Sequence, residues 1–191
     1  MPYANEVRII GGKWRSRRIK FSGNPHLRPT PNRVRETVFN WLTPTVIDAV
    51  CLDMFAGSGA LSFEALSRGA KSVVMLDKSK QVISHLKKNA DILHADNMVF
   101  ICKEFTPKLH NLFHQQFDIV FLDPPFRQNL VTICSQWLEE NACLTEDAII
   151  YTETESSLKN IGVPTNWELR RQKTAGQVCY SLWRRVAKKS V

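Results

Sequence analysis

The 191-residue chain contains no apolar run near the ~18 residues that a membrane-spanning helix requires. Its opening twenty residues are basic and contain no apolar stretch of the kind a secretory leader carries, so a soluble, cytoplasmic protein is the expectation. The five cysteines, Cys51, Cys102, Cys134, Cys143 and Cys179, are odd in number, widely spaced and without a C-x-x-C pair, which argues against a disulfide framework or a zinc module. His110 and His114 stand four apart, but the glutamate of H-E-x-x-H is missing, and no metal is expected. Repeats and low-complexity tracts are absent too. The length suits one domain, or one with a short appendage, and a monomer is the default.

Acidic residues are scarce at both ends. Residues 1–35 hold nine Lys and Arg against Glu6 alone, and residues 170–191 hold seven and no acid, while the middle carries ten basic and seventeen acidic residues. Two basic ends around an acidic centre suit a polyanion gripped from the flanks, because phosphate contacts dominate non-specific nucleic-acid affinity. Aromatic and apolar residues interleave with the bases in Ile10-Gly-Gly-Lys-Trp-Arg-Ser-Arg-Arg-Ile19. That favours nucleic acid over a merely solvated face.

Hydrophobic periodicity divides the chain further. Val7–Ile10 and Arg18–Phe21 read as a small basic hairpin around Gly11-Gly12. Thr30-Pro31 reads as an N-cap with proline in the first helical position, opening a helix that carries Val34, Val38, Trp41 and Leu42 on one face and ends near Thr43-Pro44. From residue 50 onward, five short apolar runs (50–55, 72–76, 98–102, 119–122 and 148–151) alternate with helical candidates at 60–68, 79–93, 105–115 and 129–142. Such alternation predicts a parallel sheet covered on both faces. Residues 167–172 and 178–184 then predict an antiparallel hairpin at the sheet edge. The seam between a small N-terminal part, 1–43, and the main domain, 44–191, is placed at 43–49.

Two motifs carry chemistry. Asp53-Met-Phe-Ala-Gly57-Ser-Gly59 joins the first strand to a helix, where glycines permit close backbone approach to a ligand and a helix N-terminus offers free N–H groups. Asp77 ends the second strand, where a carboxylate accepts from ribose hydroxyls. Ser62 occupies the place of the third glycine in the dinucleotide fingerprint, which weakens a dehydrogenase reading. Asp123-Pro-Pro-Phe126 follows the fourth strand, and its two prolines remove N–H donors and leave stiff carbonyl acceptors. An exocyclic amine on a nucleobase is a poor nucleophile because its lone pair is delocalised into the ring. Acceptors at Asp123 and Pro124 would draw its hydrogens out of plane, while Phe126 stacks on the base.

Together the glycine turn, the acid after strand two and D-P-P-F resemble class I S-adenosylmethionine-dependent methyltransferases acting on amino groups. Arg8–Trp14, Leu27–Thr30, Arg33–Leu42, Asp53–Gly69, Asp123–Arg127 and Ala175–Gln177 make nearly the whole chain similar to the bacterial 16S ribosomal RNA guanine-N2 methyltransferase family called RsmD. The resemblance implies an α/β, Rossmann-like fold, with a seven-stranded mostly parallel sheet, an antiparallel C-terminal hairpin and a small basic N-terminal extension. It implies methyl transfer from S-adenosylmethionine to N2 of the guanine conventionally numbered 966 of 16S RNA, in the small ribosomal subunit. By the same resemblance the donor is bound by Asp53, Phe55, Gly57, Gly59, Asp77 and Glu104, and the acceptor by Asp123, Pro124, Pro125 and Phe126. The RNA would be held by Lys13, Trp14, Arg15, Arg17, Arg18, Arg28, Arg33 and Arg35, with Arg33 and Glu36 placed to close over donor or base. Glu104-Phe105 departs from the Asp or Asn followed by alanine that members often carry near the adenine. Two alternatives stay open from the residues themselves: methylation of adenine N6 in DNA or RNA, and a non-catalytic RNA-binding assembly factor.

Overall fold

A computed structural model describes residues 6–21, 29–158 and 160–187. The chain divides into two compact units, Met1–Phe105 and Thr106–Val191, and its main sheet is seven-stranded and mostly parallel.

The first unit opens with β1 (Glu6–Arg8) and β2 (Arg18–Lys20), paired antiparallel as expected. Three-residue strands are marginal alone. They are held because Val7, Ile9, Ile19 and Phe21 are buried and because Asn89 bonds both the N–H and the carbonyl of Lys20, at 3.0 and 2.7 Å. Helix α1 (Asn32–Leu42) buries Val34, Val38, Phe39 and Leu42 at helical spacing. Pro31, rather than Thr30, occupies its cap position, one residue later than the sequence suggests. Strands β3 (Val50–Asp53), β4 (Ser72–Asp77) and β5 (Met98–Cys102) pair in parallel in the order β5-β4-β3. They alternate with α2 (Ala60–Ser67) and α3 (Lys80–Leu93).

Every residue of α2 is buried. A helix that is apolar or enclosed all round needs cover on its outer side as well as its sheet side, and the basic arm supplies it. Lys13 donates its N–H to the Ser67 carbonyl at 2.7 Å, and Trp14 donates to the Ser67 hydroxyl at 2.9 Å. Gly12, at φ +74°, fits only as glycine, since an added Cβ would stand 1.7 Å from the Ser67 carbonyl oxygen.

Arg35 and Trp14 lie elsewhere than an RNA-facing role needs. Arg35 is fully buried, and its guanidinium donates to the carbonyls of Thr30 and Arg8, to Asn32 and to Glu64. Burial lowers its pKa and the Glu64 charge counters that. Trp14 is only 8% exposed, with the Lys13 ammonium 4.4 Å above its ring, so no face is offered to a base. Glu64 accepts at both oxygens: from the N–H groups of Ile10 and Gly11, each at 2.8 Å, from Arg35 at 3.3 Å and from Arg68 at 2.7 Å. One carboxylate thus saturates its roughly four acceptor positions and ties arm, α1 and α2 together.

The second unit contains β6 (Phe117–Leu122), α4 (Leu130–Glu140), β7 (Leu144–Glu155), β8 (Trp167–Ala175) and β9 (Val178–Arg185). Its strand order is β6-β7-β9-β8, with β7 parallel to β6 and β9 inserted antiparallel between β7 and β8. The inserted hairpin strand agrees with the reading of the sequence. Its connection is shorter than expected, because the strands continue to a tight Gly176-Gln177 turn with Gly176 at φ +60°.

No helix forms between 106 and 115, contrary to the helix expected over 105–115. Pro107 removes a donor, Asn111 takes a left-handed φ of +53°, and the Leu109 carbonyl is used by the Trp137 indole N–H at 2.7 Å. Phe113 sets its edge against Phe117 and Trp137. Apolar spacing that suggested a helix is therefore satisfied by an anchored loop. Arg185, one of the bases of the C-terminal end, is drawn inward by Glu139 through two bonds of 2.7 and 3.1 Å. Burial alone would raise the Glu139 pKa, but donors from Arg185, Trp167 and Asn166 outweigh it and lower it.

Candidate active site

In the first unit the site is built on the turn from β3 into α2. Gly57 and Gly59 take φ of +48° and +76°, a region costly for side chains. A Cβ on Gly59 would lie 2.6 Å from the Leu86 side chain and 2.8 Å from the Phe63 ring. The Ala56 N–H donates to the Leu76 carbonyl at 2.9 Å, joining the turn to the end of β4. There the half-buried Asp77 carboxylate accepts the Gly57 N–H at 3.1 Å and the Ser79 N–H at 2.8 Å. A carboxylate offers about four acceptor positions, so Asp77 keeps capacity for a pair of hydroxyls.

Asp53 is turned inward. It is 2% exposed and accepts the Ser62 hydroxyl at 2.7 Å and the Phe55 N–H at 3.4 Å. The serine in the third-glycine position thus braces the turn from inside. Burial raises the Asp53 pKa to about 6, with the Ser62 and Phe55 bonds opposing it and the Asp77 charge adding to it. An acid whose pKa is higher folded than unfolded binds its proton more tightly in the folded state, so stability falls as pH rises from about 4 to about 6. At ~1.4 kcal/mol per pKa unit the loss is on the order of 3 kcal/mol. Asp53→Asn is expected to remove that falling limb and to melt higher than the wild type at pH 8 and near it at pH 4; parallel melting profiles for the two proteins would refute the assignment.

Glu104 stands on the surface, paired with Lys78 at 3.1 Å with both side chains about two-thirds exposed. Lys13, Arg15, Arg17, Arg18, Arg33 and Glu36 are exposed, whereas Arg28 lies outside the described residues. Among the described residues no three metal-ligating side chains gather, and no helix is long and apolar enough to cross a membrane.

In the second unit β6 delivers Asp123, half-buried, to the corner Pro124-Pro125-Phe126. Pro124 is buried and Phe126 is 38% exposed. Left-handed residues Arg127 and Asn129 turn the chain into α4, and the Arg127 N–H donates to Glu155 at the end of β7. Beside this corner the buried Tyr151 hydroxyl donates to Glu153 at 2.7 Å. Burial, then the charge and bond of Glu153 and the charge of Asp123, hold the Tyr151 pKa well above its ordinary value, so it remains a neutral donor. A cavity of about 250 Å³ opens here, lined by Pro124–Thr132, by Glu153–Glu155 and by Leu158 and Ile161.

Tyr151, Glu153, Thr154 and Glu155 escape a reading that ends this strand at Tyr151. A signal was present: Thr152-Glu-Thr-Glu155 continues the strand with polar residues, and three of the four are buried.

The mostly parallel sheet, its inserted antiparallel strand and the turns after β3, β4 and β6 define a Rossmann-like class I methyltransferase fold. The chain belongs to the family described as Conserved hypothetical protein 95, whose model matches residues 7–184. It is 45% identical over 192 residues to the ribosomal RNA small subunit methyltransferase D of Escherichia coli strain K12, covering 96% of this chain and 92% of that protein. The Haemophilus influenzae protein of the same name is 46% identical over 183 residues, covering 93% of each. The solved structure of Escherichia coli yhhF superposes with a TM-score of 0.85 at 44% identity, covering 96% of this chain and 99% of that one.

Proposed function

We propose that this protein methylates the exocyclic N2 of one guanine in 16S ribosomal RNA, with S-adenosylmethionine as donor. The observation that carries the proposal is the Asp123-Pro-Pro-Phe126 corner: two prolines without N–H groups, a carboxylate and a half-exposed ring at the end of an apolar strand.

The residues fit the donor. Asp77 retains acceptor capacity for the two ribose hydroxyls, and the backbone around Gly57 and Gly59, braced by Asp53 and Phe55, borders the methionine portion. Glu104, paired outward with Lys78, is a peripheral adenine neighbour at most. When bound, S-adenosylmethionine supplies the electrophilic methyl carbon, and the protein supplies position and charge. Asp123 and the Pro124 carbonyl accept the two amine hydrogens, making N2 pyramidal and taking its lone pair out of conjugation with the ring, while Phe126 stacks on the base. Making the carbon–nitrogen bond would break the methyl–sulfur bond and release a neutral thioether, and the cationic, acidic N2 would then lose one proton to water. Asp123 therefore orients the amine, and no strong base is required.

Incubating the protein with labelled S-adenosylmethionine and small subunits lacking the modification, then digesting to nucleosides, tests this. Label is expected in N2-methylguanosine; label in N6-methyladenosine would replace the reading with its adenine rival, and a protein that binds no donor would favour the assembly factor.

The exposed arm residues Lys13, Arg15, Arg17 and Arg18, with Arg28 and Arg33, are proposed to hold RNA phosphates. Their surroundings agree with a prebuilt surface, since Gly11–Trp14 is bonded to α2 and presents its charges outward. Replacing Arg15, Arg17 and Arg18 together with alanine is expected to lower the salt slope of RNA binding by roughly 2 to 3, or ~0.9 or less for each phosphate that is no longer neutralised. An unchanged slope would remove the arm from the interface.

A further inference from the structure

Within the first unit, α3 carries more than the apolar stripe formed by Val82, Ile83, Leu86, Ala90 and Leu93, all buried. His85, Lys88, Asn89 and Ile92 recur at i, i+3, i+4 and i+7, so a second stripe runs along one side of the helix. That side meets β2. Asn89 is spent on the N–H and carbonyl of Lys20, at 3.0 and 2.7 Å, while the Lys20 side chain itself is exposed. Between the two elements lies a groove of about 590 Å³, lined by Glu6, Lys20, Phe21 and the four residues of the stripe. A helix face packed against a neighbour is normally apolar. Here it is basic and polar, and its one large apolar residue, Ile92, is 58% exposed.

The charges narrow the occupant. Lys20 and Lys88 are exposed on opposite walls, and Arg17 reaches the same helix, donating to the Ile92 carbonyl at 3.3 Å. Glu6 is the acid on the lining, and its carboxylate is paired with Arg18 at 3.3 Å. What remains is a pair of lysines over an apolar floor of Phe21 and Ile92. A nucleic-acid strand has the matching chemistry, because its phosphates seek cations while its sugars and base faces accept apolar contact. The volume lies within the roughly 300 to 1,000 Å³ of small-ligand sites, which is room for a nucleotide. Through Arg17 the groove is also continuous with the arm.

Resting on the ribosomal RNA reading above, we propose that the groove between β2 and α3 binds a stretch of RNA backbone, with Lys20 and Lys88 as phosphate contacts. The RNA surface of the arm then runs on across α3. Binding to unmodified small subunits, measured over a range of potassium chloride at fixed magnesium, tests this. Lys20→Ala with Lys88→Ala weakens binding and lowers the salt slope by roughly 1 to 2, at ~0.9 or less for each phosphate released. Melting temperature and S-adenosylmethionine affinity stay at wild-type values, since both side chains are exposed. Lys20→Arg with Lys88→Arg keeps the charge and the slope. Ile92→Lys separates RNA from an apolar protein segment as the occupant. An added cation tightens RNA binding and steepens the slope by up to ~0.9, whereas an apolar partner is weakened by it. An unchanged slope in the alanine pair, an equal loss in the arginine pair, or no tighter binding by Ile92→Lys overturns the inference. If the Arg15, Arg17 and Arg18 variant flattens the slope and the lysine pair does not, the arm reading stands and the groove alone is rejected. A wild-type protein that does not bind the particle overturns both.

Discussion

Asp123→Ala is expected to bind S-adenosylmethionine as the wild type does while its turnover falls by at least about a hundredfold, the scale that loss of reactant positioning produces. The separation follows from where the residues lie in the chain. Asp53, Gly57, Gly59 and Asp77, which are proposed to hold the donor, belong to the turns after β3 and β4, and Asp123 follows β6. Its carboxylate is proposed to meet the amine and not the donor, and the amine's lone pair lies in conjugation with the ring until its hydrogens are drawn out of plane. Asp123→Asn keeps one carbonyl acceptor and should fall between the two. Calorimetry of donor binding beside a labelled-methyl transfer assay checks both halves, and near-normal turnover in the alanine variant would defeat the mechanism.

Glu64→Ala is expected to lower stability by about 3 to 5 kcal/mol, because it strips the counter-charge from a fully buried arginine. Arg35 and Glu64 are both without exposed side-chain surface, and the same carboxylate takes the Ile10 and Gly11 N–H groups. Removing it strips a buried cation of its counter-charge, leaves two amide donors unpaired and weakens the arm's hold on α2, which the Ser67 bonds then carry. Trypsin should then cut among Arg15, Arg17 and Arg18 well before it attacks the rest of the chain. Removing both charges, as in Glu64→Leu with Arg35→Met, should recover much of the loss, since an apolar pair of similar volume is often no less stable than a buried ion pair. Denaturant unfolding of the three proteins checks this, and a single variant as stable as the wild type would refute the role given to Glu64.

The sheet was legible because buried strands leave an unambiguous mark. Cys51–Asp53, Val73–Leu76 and Ile119–Leu122 are enclosed on both faces, and short continuous apolar runs have few other uses. The C-terminal antiparallel hairpin was legible as two short runs, 167–172 and 178–184, after the alternation of strands and helices ends. What failed to show had partners distant in sequence. Arg35 looks like one more base in a basic segment, and only Glu64, twenty-nine residues on, makes it internal. Trp14 looks like one more RNA-facing group among arginines, but its ring is 8% exposed and covered by the Lys13 ammonium. The loop at 106–116 has helical spacing of apolar residues, yet Phe113 and the Leu109 carbonyl are spent on Trp137. In the site, the two motifs were read from glycine and proline chemistry, which is local. The polar end of β7 was missed because polarity normally marks a strand's end, and here Glu153 and Thr154 are buried around a cavity.

The guanine-methyltransferase reading is tested most directly by mass mapping of modified nucleosides in small-subunit RNA from cells with and without this protein. One N2-methylguanosine present in the first and missing from the second, restored by the wild type and not by Asp123→Ala, is the expected result. Identical maps, or the loss of a methylated adenosine instead, would contradict it.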